Sequence, residues 1–303
     1  MLLISYLKYY AQLLKFRLSI TVVISAVAGY LIGVTIFDFT EFILLIFGGF
    51  LITGSANGFN QVLEEDYDKL MFRTENRPLP LQKIKPLHAA FFSLIIGLIG
   101  LYFLSLIKPH GSFYGYLSKS SAFGLLSLMI YVLSYTPLKR MSTVSIFIGA
   151  IPGAIPVMLG WVAATNQFGL AVGILFAIQF LWQFPHFISI AWIRDDEYKN
   201  AGFKMIYGGK KGLYPAYIAM ICSIFMTIVS VLPYFLDLKI LSLSTISFVL
   251  ILCLGIWFTK NSFKLLKDLD DSSAKKLMIS SLIYLPLMQI IYVLDKWFIN
   301  WFF

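Results

Sequence analysis

Only 15 of the 303 residues are acidic, yet five of them fall between Asn57 and Pro80, in the run Asn57-Gly-Phe-Asn-Gln-Val-Leu-Glu-Glu-Asp-Tyr-Asp-Lys-Leu-Met-Phe-Arg-Thr-Glu-Asn-Arg-Pro-Leu-Pro80. If one helix continues through this run, Asn60, Glu64 and Asp68 stand at i, i+4 and i+8 and share a face, with Cβ atoms about 5–6 Å apart per step. Carboxylates at that spacing repel, and a divalent cation would remove the repulsion. Mg²⁺ suits such a site because it takes oxygen ligands and commonly binds through one or two carboxylates plus substrate phosphates. The spacing therefore points to a Mg²⁺-bridged phosphate. A solvated helix end whose acids pair with Lys69, Arg73 and Arg77 explains the same charges equally well. Asp66 falls off the shared face. Arg73 and Arg77, again four apart, could grip phosphate oxygens bidentately, although arginines in a cytoplasmic loop are also ordinary membrane anchors.

Two further segments carry chemistry. Phe180-Leu-Trp-Gln-Phe-Pro-His-Phe187 runs on to Trp192-Ile-Arg-Asp-Asp-Glu-Tyr-Lys-Asn-Ala-Gly-Phe-Lys-Met205, and holds His186, the one histidine well inside an apolar run; His88 and His110 lie near ends or loops. An ionisable group inside a membrane helix is read as functional by default. Pro185 removes a backbone donor, which predicts a kink or an unwound turn of the kind tolerated where backbone lines a cavity. The competing reading is a neutral His186 bonded to a carbonyl that this kink frees. Tyr131-Val-Leu-Ser-Tyr-Thr-Pro-Leu-Lys-Arg140 ends another apolar run on a basic pair, Lys139 and Arg140. Aromatic residues Phe180, Trp182, Phe184 and Phe187 are more often packing than substrate contacts.

The elements that must position these groups follow from composition. Residues of the AVILMFWYC class make up 59% of the chain and charged residues 13%, against roughly 25% charged in a soluble domain. Together with a mean hydropathy of +0.82, this excludes both a soluble globular protein and a disordered one. A membrane helix needs about 20 apolar residues, and nine candidate runs satisfy this: 19–37, 41–63, 87–107, 120–137, 144–164, 167–193, 215–235, 241–259 and 277–297. None alternates with the period of a membrane barrel. The expectation is an all-α polytopic membrane protein, one domain over residues 1–303, with no removable signal peptide. With nine spans, 20 of the 24 Lys and Arg residues fall on one side, leaving Lys108, Lys119, Lys239 and Lys296 on the other. That places the N-terminus and every motif in the cytoplasm and the C-terminus outside. The net charge of +9 thus reflects topology, and nucleic-acid binding is discarded because no compact soluble domain presents the charge. Cys222 and Cys253 sit in apolar runs and imply neither disulfide nor metal.

Asn60-x-x-x-Glu64-x-Asp66-x-Asp68 followed by Met71-x-Arg73-Thr74-x-x-Arg77-Pro78-Leu79 resembles the first motif of the UbiA-type intramembrane prenyltransferases, in the version of their heme O synthase branch. The resemblance implies that Asn60, Glu64 and Asp68 hold Mg²⁺ on a prenyl diphosphate, with Glu64 standing where Asp is usual. Asp196-Glu197-Tyr198 through Ala201-Gly202 resembles the same branch; most other UbiA-type enzymes carry two Asp at the positions of Arg194 and Tyr198. Asp195 and Asp196 are the ligands it implies for that segment. Lys139-Arg140 resembles the family's diphosphate-binding pair, and Ile148-Gly-Ala-Ile-Pro-Gly-Ala-Ile-Pro-Val-Met-Leu-Gly-Trp161 its small-residue stretch, which permits close helix approach. Tyr135, Tyr198, Arg73 and Arg77 are implied substrate contacts, and His186 a heme-pocket residue or axial ligand.

Nine helices around a central cavity, opening towards the cytoplasmic motifs and sideways to lipid, is the architecture so implied. The implied reaction joins farnesyl diphosphate to heme b, with water completing the product, in a bacterial cell membrane or the inner mitochondrial membrane. Heme-copper oxidase assembly proteins are the partners that such a product implies. The alternatives are a UbiA-type enzyme with an aromatic or lipid acceptor, a transporter, and a heme-binding assembly factor. Against a transporter stand the absence of internal repeats and acids placed at a membrane edge.

Overall fold

The computed structural model describes residues 2–108, 117–236 and 238–299. Helix α1 (Leu2–Leu13) leads into α2 (Phe16–Gly33), α3 (Phe39–Leu63), the short α4 (Glu65–Asp68) and α5 (Pro86–Ser105). Then α6 (Lys119–Met129) passes through a π-helical turn, Ile130–Tyr135, into α7 (Thr136–Met141). The rest is α8 (Ser145–Thr165), α9 (Leu170–Ile193), the short α10 (Asp195–Asn200), α11 (Leu213–Val231), α12 (Thr245–Asp268) and α13 (Asp271–Leu294). With α6 and α7 counted as one span, nine helices among the described residues are long and apolar enough to cross a membrane. The chain is an integral membrane protein of the all-α class, as expected.

Local chemistry sets the helix starts. The Asp38 carboxylate accepts from Thr40 N at 2.8 Å and Glu41 N at 3.0 Å, and Ser118, Ser244 and Asp270 cap α6, α12 and α13 in the same way. Each cap satisfies an N–H that a helix start would leave open. The outward faces are apolar: Phe91, Leu98 and Leu282 are more than half exposed, the surface expected against lipid rather than water. Helix α8 lies at the centre, and its small residues explain why. A Cβ on Gly29 would stand 2.0 Å from Val157 O, and one on Gly160 would stand 1.8 Å from Ala26 O, so α2 and α8 meet backbone to backbone.

The two ends of the bundle are each tied by polar contacts between successive connections. At one end Lys15 reaches Asn60, Lys204 N donates to Lys139 O at 2.7 Å, and Lys211 pairs with Asp271 at 2.8 Å. At the other, Lys108 pairs with Glu41 at 2.7 Å and Lys119 donates to Asn166 O at 2.7 Å. The motif-bearing connections therefore share one end.

Several boundaries differ from the sequence expectation. The first span is 16–33 rather than 19–37, because the Tyr30 hydroxyl bonds Asp38 N and O and closes the connection early. Residues 260–276, expected as a basic loop, are mostly helix: α12 carries Lys260, Lys264 and Lys267 onward, and only Leu269 and Asp270 turn the chain. Long cationic side chains at a helix end can extend to the interface while their stems stay packed. Helix α9 runs unbroken through Pro185, so the unwound turn is not found. The break falls instead at Glu64, whose φ of −109° and ψ of 10° end α3. Glu64 N still donates to Asn60 O, and Asp68 N to Glu64 O, so one helical turn per step survives the break.

Candidate active site

Around that break the sequence motif closes into a buried polar cluster. Asn60, Glu64 and Asp68 are all buried. Asn60 Oδ1 accepts from Lys15 Nζ at 2.9 Å, and Asn60 Nδ2 donates to Thr136 Oγ1 at 3.3 Å. The Glu64 carboxylate pairs with Lys139. Asp68 Oδ2 takes Arg77 Nη1 at 2.6 Å, while Asp68 Oδ1 is buried with no hydrogen-bond partner. Burial raises the Asp68 pKa above the usual carboxylate range, opposed by the Arg77 charge.

The loop after α4 is fixed by Thr74, buried, whose hydroxyl donates to Asp68 O at 2.9 Å. That anchor turns the chain so that Arg77 returns to Asp68 while Arg73 stays exposed. The two arginines do not form the pair that their spacing suggested, because the segment is a series of turns and not a helix. Lys139 is held between the acid and two rings, with its Nζ 4.9 Å from the Tyr135 centroid and 5.6 Å from that of Phe203. Tyr198 meets Phe203 edge-on at 6.2 Å, so the loop after α9 forms one wall. Arg140 turns the other way: its guanidinium lies 4.5 Å from the Tyr67 ring centroid and bonds the Tyr67 hydroxyl.

The second acidic segment does not join this cluster. Asp195 is buried but its carboxylate is taken by Lys199 at 2.7 Å, and Asp196 is exposed. Among the described residues no three His, Cys, Asp or Glu side chains come together as a metal group. A hard cation here would draw on Asn60, Glu64 and the unpartnered Asp68 Oδ1, an all-oxygen donor set with waters and substrate completing it, which is the chemistry Mg²⁺ prefers. The residues fit.

Lys15 joins this cluster through Asn60, whereas sequence reading counted it only as a membrane-edge charge. It sits between α1 and α2 in the left-handed region, φ 46° and ψ 55°, a conformation costing a non-glycine residue about 1 kcal/mol or more. Burial, and the neighbouring Arg77 and Lys139 charges, push its pKa down to about 7. Nothing in the spacing of Lys8, Lys15 and Arg17 singled it out.

Beneath the cluster lies a cavity of about 430 Å³, lined among others by Asn57, Tyr131, Tyr135, Gln183, His186 and Gln289. The π-helical turn brings Tyr131 and Tyr135 to its wall; Pro137 lacks the N–H needed to continue an α ladder, and Thr136 Oγ1 donates to Tyr131 O at 2.9 Å. A Cβ on Gly149 would stand 2.6 Å from the Tyr135 ring, so the small-residue stretch makes room for it. His186 Nδ1 meets Ser281 Oγ at 2.7 Å, so its partner is a serine of α13 and not a carbonyl freed by Pro185. Of the four aromatic residues around it, Trp182 and Phe187 line the cavity, while Phe180 and Phe184 pack on Phe147. Leu18, Ile24 and Leu282 form a side wall between α2 and α13.

Residues 22–285 match the UbiA prenyltransferase family. The chain belongs to the UbiA prenyltransferase family. Among related UbiA proteins, it is 41% identical to a protoheme IX farnesyltransferase of Flavobacterium psychrophilum, over 95% of this chain and 94% of that one. It is 31% identical to the mitochondrial protoheme IX farnesyltransferase of Homo sapiens, over 94% of this chain and 62% of the human one. Among solved structures, a UbiA homologue from Archaeoglobus fulgidus bound to DMAPP and Mg²⁺ superposes with a TM-score of 0.68 at 15% identity, covering 94% of this chain and 99% of that one. The UbiA fold is thus shared over nearly the whole length.

Proposed function

We propose that this UbiA-family chain is a protoheme IX farnesyltransferase, joining farnesyl diphosphate to heme b with water to give heme O and diphosphate. The observation that carries this reading is a buried oxygen-rich cluster, ringed by Lys15, Lys139 and Arg77, set directly over a cavity that holds one histidine. The near full-length similarity to protoheme IX farnesyltransferases supports the choice of acceptor.

Asn60, Glu64 and Asp68 would hold Mg²⁺, which when bound would offset negative charge on the diphosphate. Lys15, Lys139 and Arg77 are the cations placed to neutralise charge that grows on the leaving diphosphate as the farnesyl C1–O bond breaks. Lys139 and Arg77 are now paired with Glu64 and Asp68 and Lys15 is hydrogen-bonded to Asn60, so substrate binding exchanges these contacts for contacts to the diphosphate. The vinyl group of heme b attacks C1, water adds to the cation left on the former vinyl carbon, and the water loses a proton. Tyr131 and Tyr135, which line the cavity, would shelter the allylic cation with their rings, and the apolar wall would keep stray water away from it. Tyr198 and Arg73 belong to the rim rather than to the metal cluster, Arg140 steadies Tyr67, and Asp195 and Asp196 stand outside the metal assignment.

Positive residues concentrate at the motif end, so that end faces the cytoplasm and the C-terminus the opposite side, in a bacterial cell membrane or its mitochondrial counterpart. Heme-copper oxidase assembly proteins would take the product.

Purified protein in detergent, supplied with heme b, farnesyl diphosphate and Mg²⁺, should yield farnesylated heme by mass spectrometry, and EDTA should abolish it. Unmodified heme with a folded, heme-binding protein would sink the acceptor assignment, and a quinone precursor would then be the next acceptor to offer.

A further inference from the structure

His186 is held by more than its own helix. Its ring stacks on Trp182, centroids 4.6 Å apart and planes 15° from parallel. Trp182 Nε1 in turn donates to Ser281 O at 2.8 Å, and Ser281 Oγ meets His186 Nδ1 at 2.7 Å. One residue of α13, fully buried, thereby fixes both rings.

The direction of the His186 bond follows from proton counting. Ser281 Oγ also lies 2.6 Å from Met278 O. Two oxygens that close repel unless a proton lies between them, and a carbonyl supplies none. The single hydroxyl proton is therefore committed to Met278 O, and Ser281 presents only lone pairs to the histidine. Nδ1 must carry the proton and donate. In the neutral ring Nε2 is then the bare nitrogen. Among the described residues Nε2 has no hydrogen-bond partner, and His186 lines the cavity beneath the acidic cluster.

We propose that Ser281 is a positioning residue that holds His186 as its Nδ1–H tautomer, so that Nε2 is the nitrogen offered to the heme iron. This rests on the reading above that His186 meets heme. Ligating histidines as a class donate their second ring nitrogen to a fixed acceptor, which sets tautomer and ring angle. Here a serine already spent on a helix carbonyl plays that part. Trp182 keeps the ring from rotating about its Cβ–Cγ bond.

The test separates the tautomer from the ligand. The protein has three histidines, so ¹⁵N-histidine NMR of the detergent-solubilised wild type, with His186→Asn to assign its peaks, reports the proton position without heme. Protonated Nδ1 and bare Nε2 are expected; the opposite pattern overturns the proposal whatever heme does. Hemin is then titrated and followed by its Soret band. His186→Ala should abolish the imidazole-ligated spectrum, and if it does not, the reading of His186 as a heme contact fails while the tautomer result stands. Ser281→Ala should weaken hemin binding by about tenfold or more and broaden the band, while Ser281→Thr, which keeps the hydroxyl, should restore both. Hemin binding and spectrum unchanged in a folded Ser281→Ala protein would overturn the positioning role. Ser281→Cys, close in size but a poor acceptor, serves if the alanine variant does not fold.

Discussion

Asp68 has one carboxylate oxygen on Arg77 and the other buried without a partner, an arrangement that costs stability unless a ligand uses it. Asp68→Asn removes the charge while keeping the shape. Its product yield in the mass-spectrometric assay should fall by about 100-fold or more, the scale seen when a preorganised electrostatic group is lost, with the elution profile of the folded protein unchanged. Lys15 makes a different case. Its buried ammonium is held by Asn60, so Lys15→Met should relieve desolvation while leaving Asn60 Oδ1 without its donor, two opposed effects that should keep the thermal melt close to that of wild type. Turnover should nevertheless drop about tenfold or more if this cation meets the diphosphate, on the scale of one charge-assisted contact. Wild-type turnover in a folded Lys15→Met protein would remove Lys15 from the site.

At the scale of elements, the contact between α2 and α8 is the least tolerant. Gly160→Ala would set a methyl 1.8 Å from the Ala26 carbonyl, backbone that cannot rotate away. Overpacking of this kind costs about 1–3 kcal/mol, so Gly160→Ala should lower the melting temperature in detergent and displace α2, which carries Lys15 at its start. Gly173→Ala, with nothing within 4 Å of the added Cβ, is the matched control and should melt like wild type. The break at Glu64 belongs to this scale as well. A straight continuation of α3 was a fair reading of residues 57–68, since apolar periodicity runs on through Phe59, Val62 and Leu63 and no proline falls before Pro78 to stop it. What ends α3 is the burial of Glu64 against Lys139, a contact from a helix about 75 positions away in the chain.

For the whole molecule, orientation is the property that function depends on, because both substrates and the motifs must meet on one face. Single cysteines introduced as Lys83→Cys and Lys210→Cys, at exposed positions of two motif-side connections, should be labelled by an impermeant maleimide in inside-out vesicles only. Gln167→Cys, exposed at the other end, should be labelled only from the opposite face. Both sets reacting from the same side would contradict the assigned topology. Cys222→Ser and Cys253→Ser in the background remove the native thiols.

Hydropathy alone determined nine membrane helices, since a bilayer demands about 20 apolar residues per crossing whatever the packing. The alternation of nine spans determined which connections share an end, and the count of Lys and Arg marked one of those ends as the basic one, neither of which needs a tertiary contact. The spacing of Asn60, Glu64 and Asp68 likewise announced an oxygen-rich site, since near neighbours on a helix are fixed by its pitch. Tertiary structure decided the partners. Lys15 entering the cluster, Arg77 folding back on Asp68, Arg140 turning to Tyr67 and Asp195 closing on Lys199 depend on how connections meet at the end of the bundle. The partner of His186 lies 95 positions away on α13, a separation over which no periodicity or local rule acts, and only the packing of α9 against α13 brings the two together.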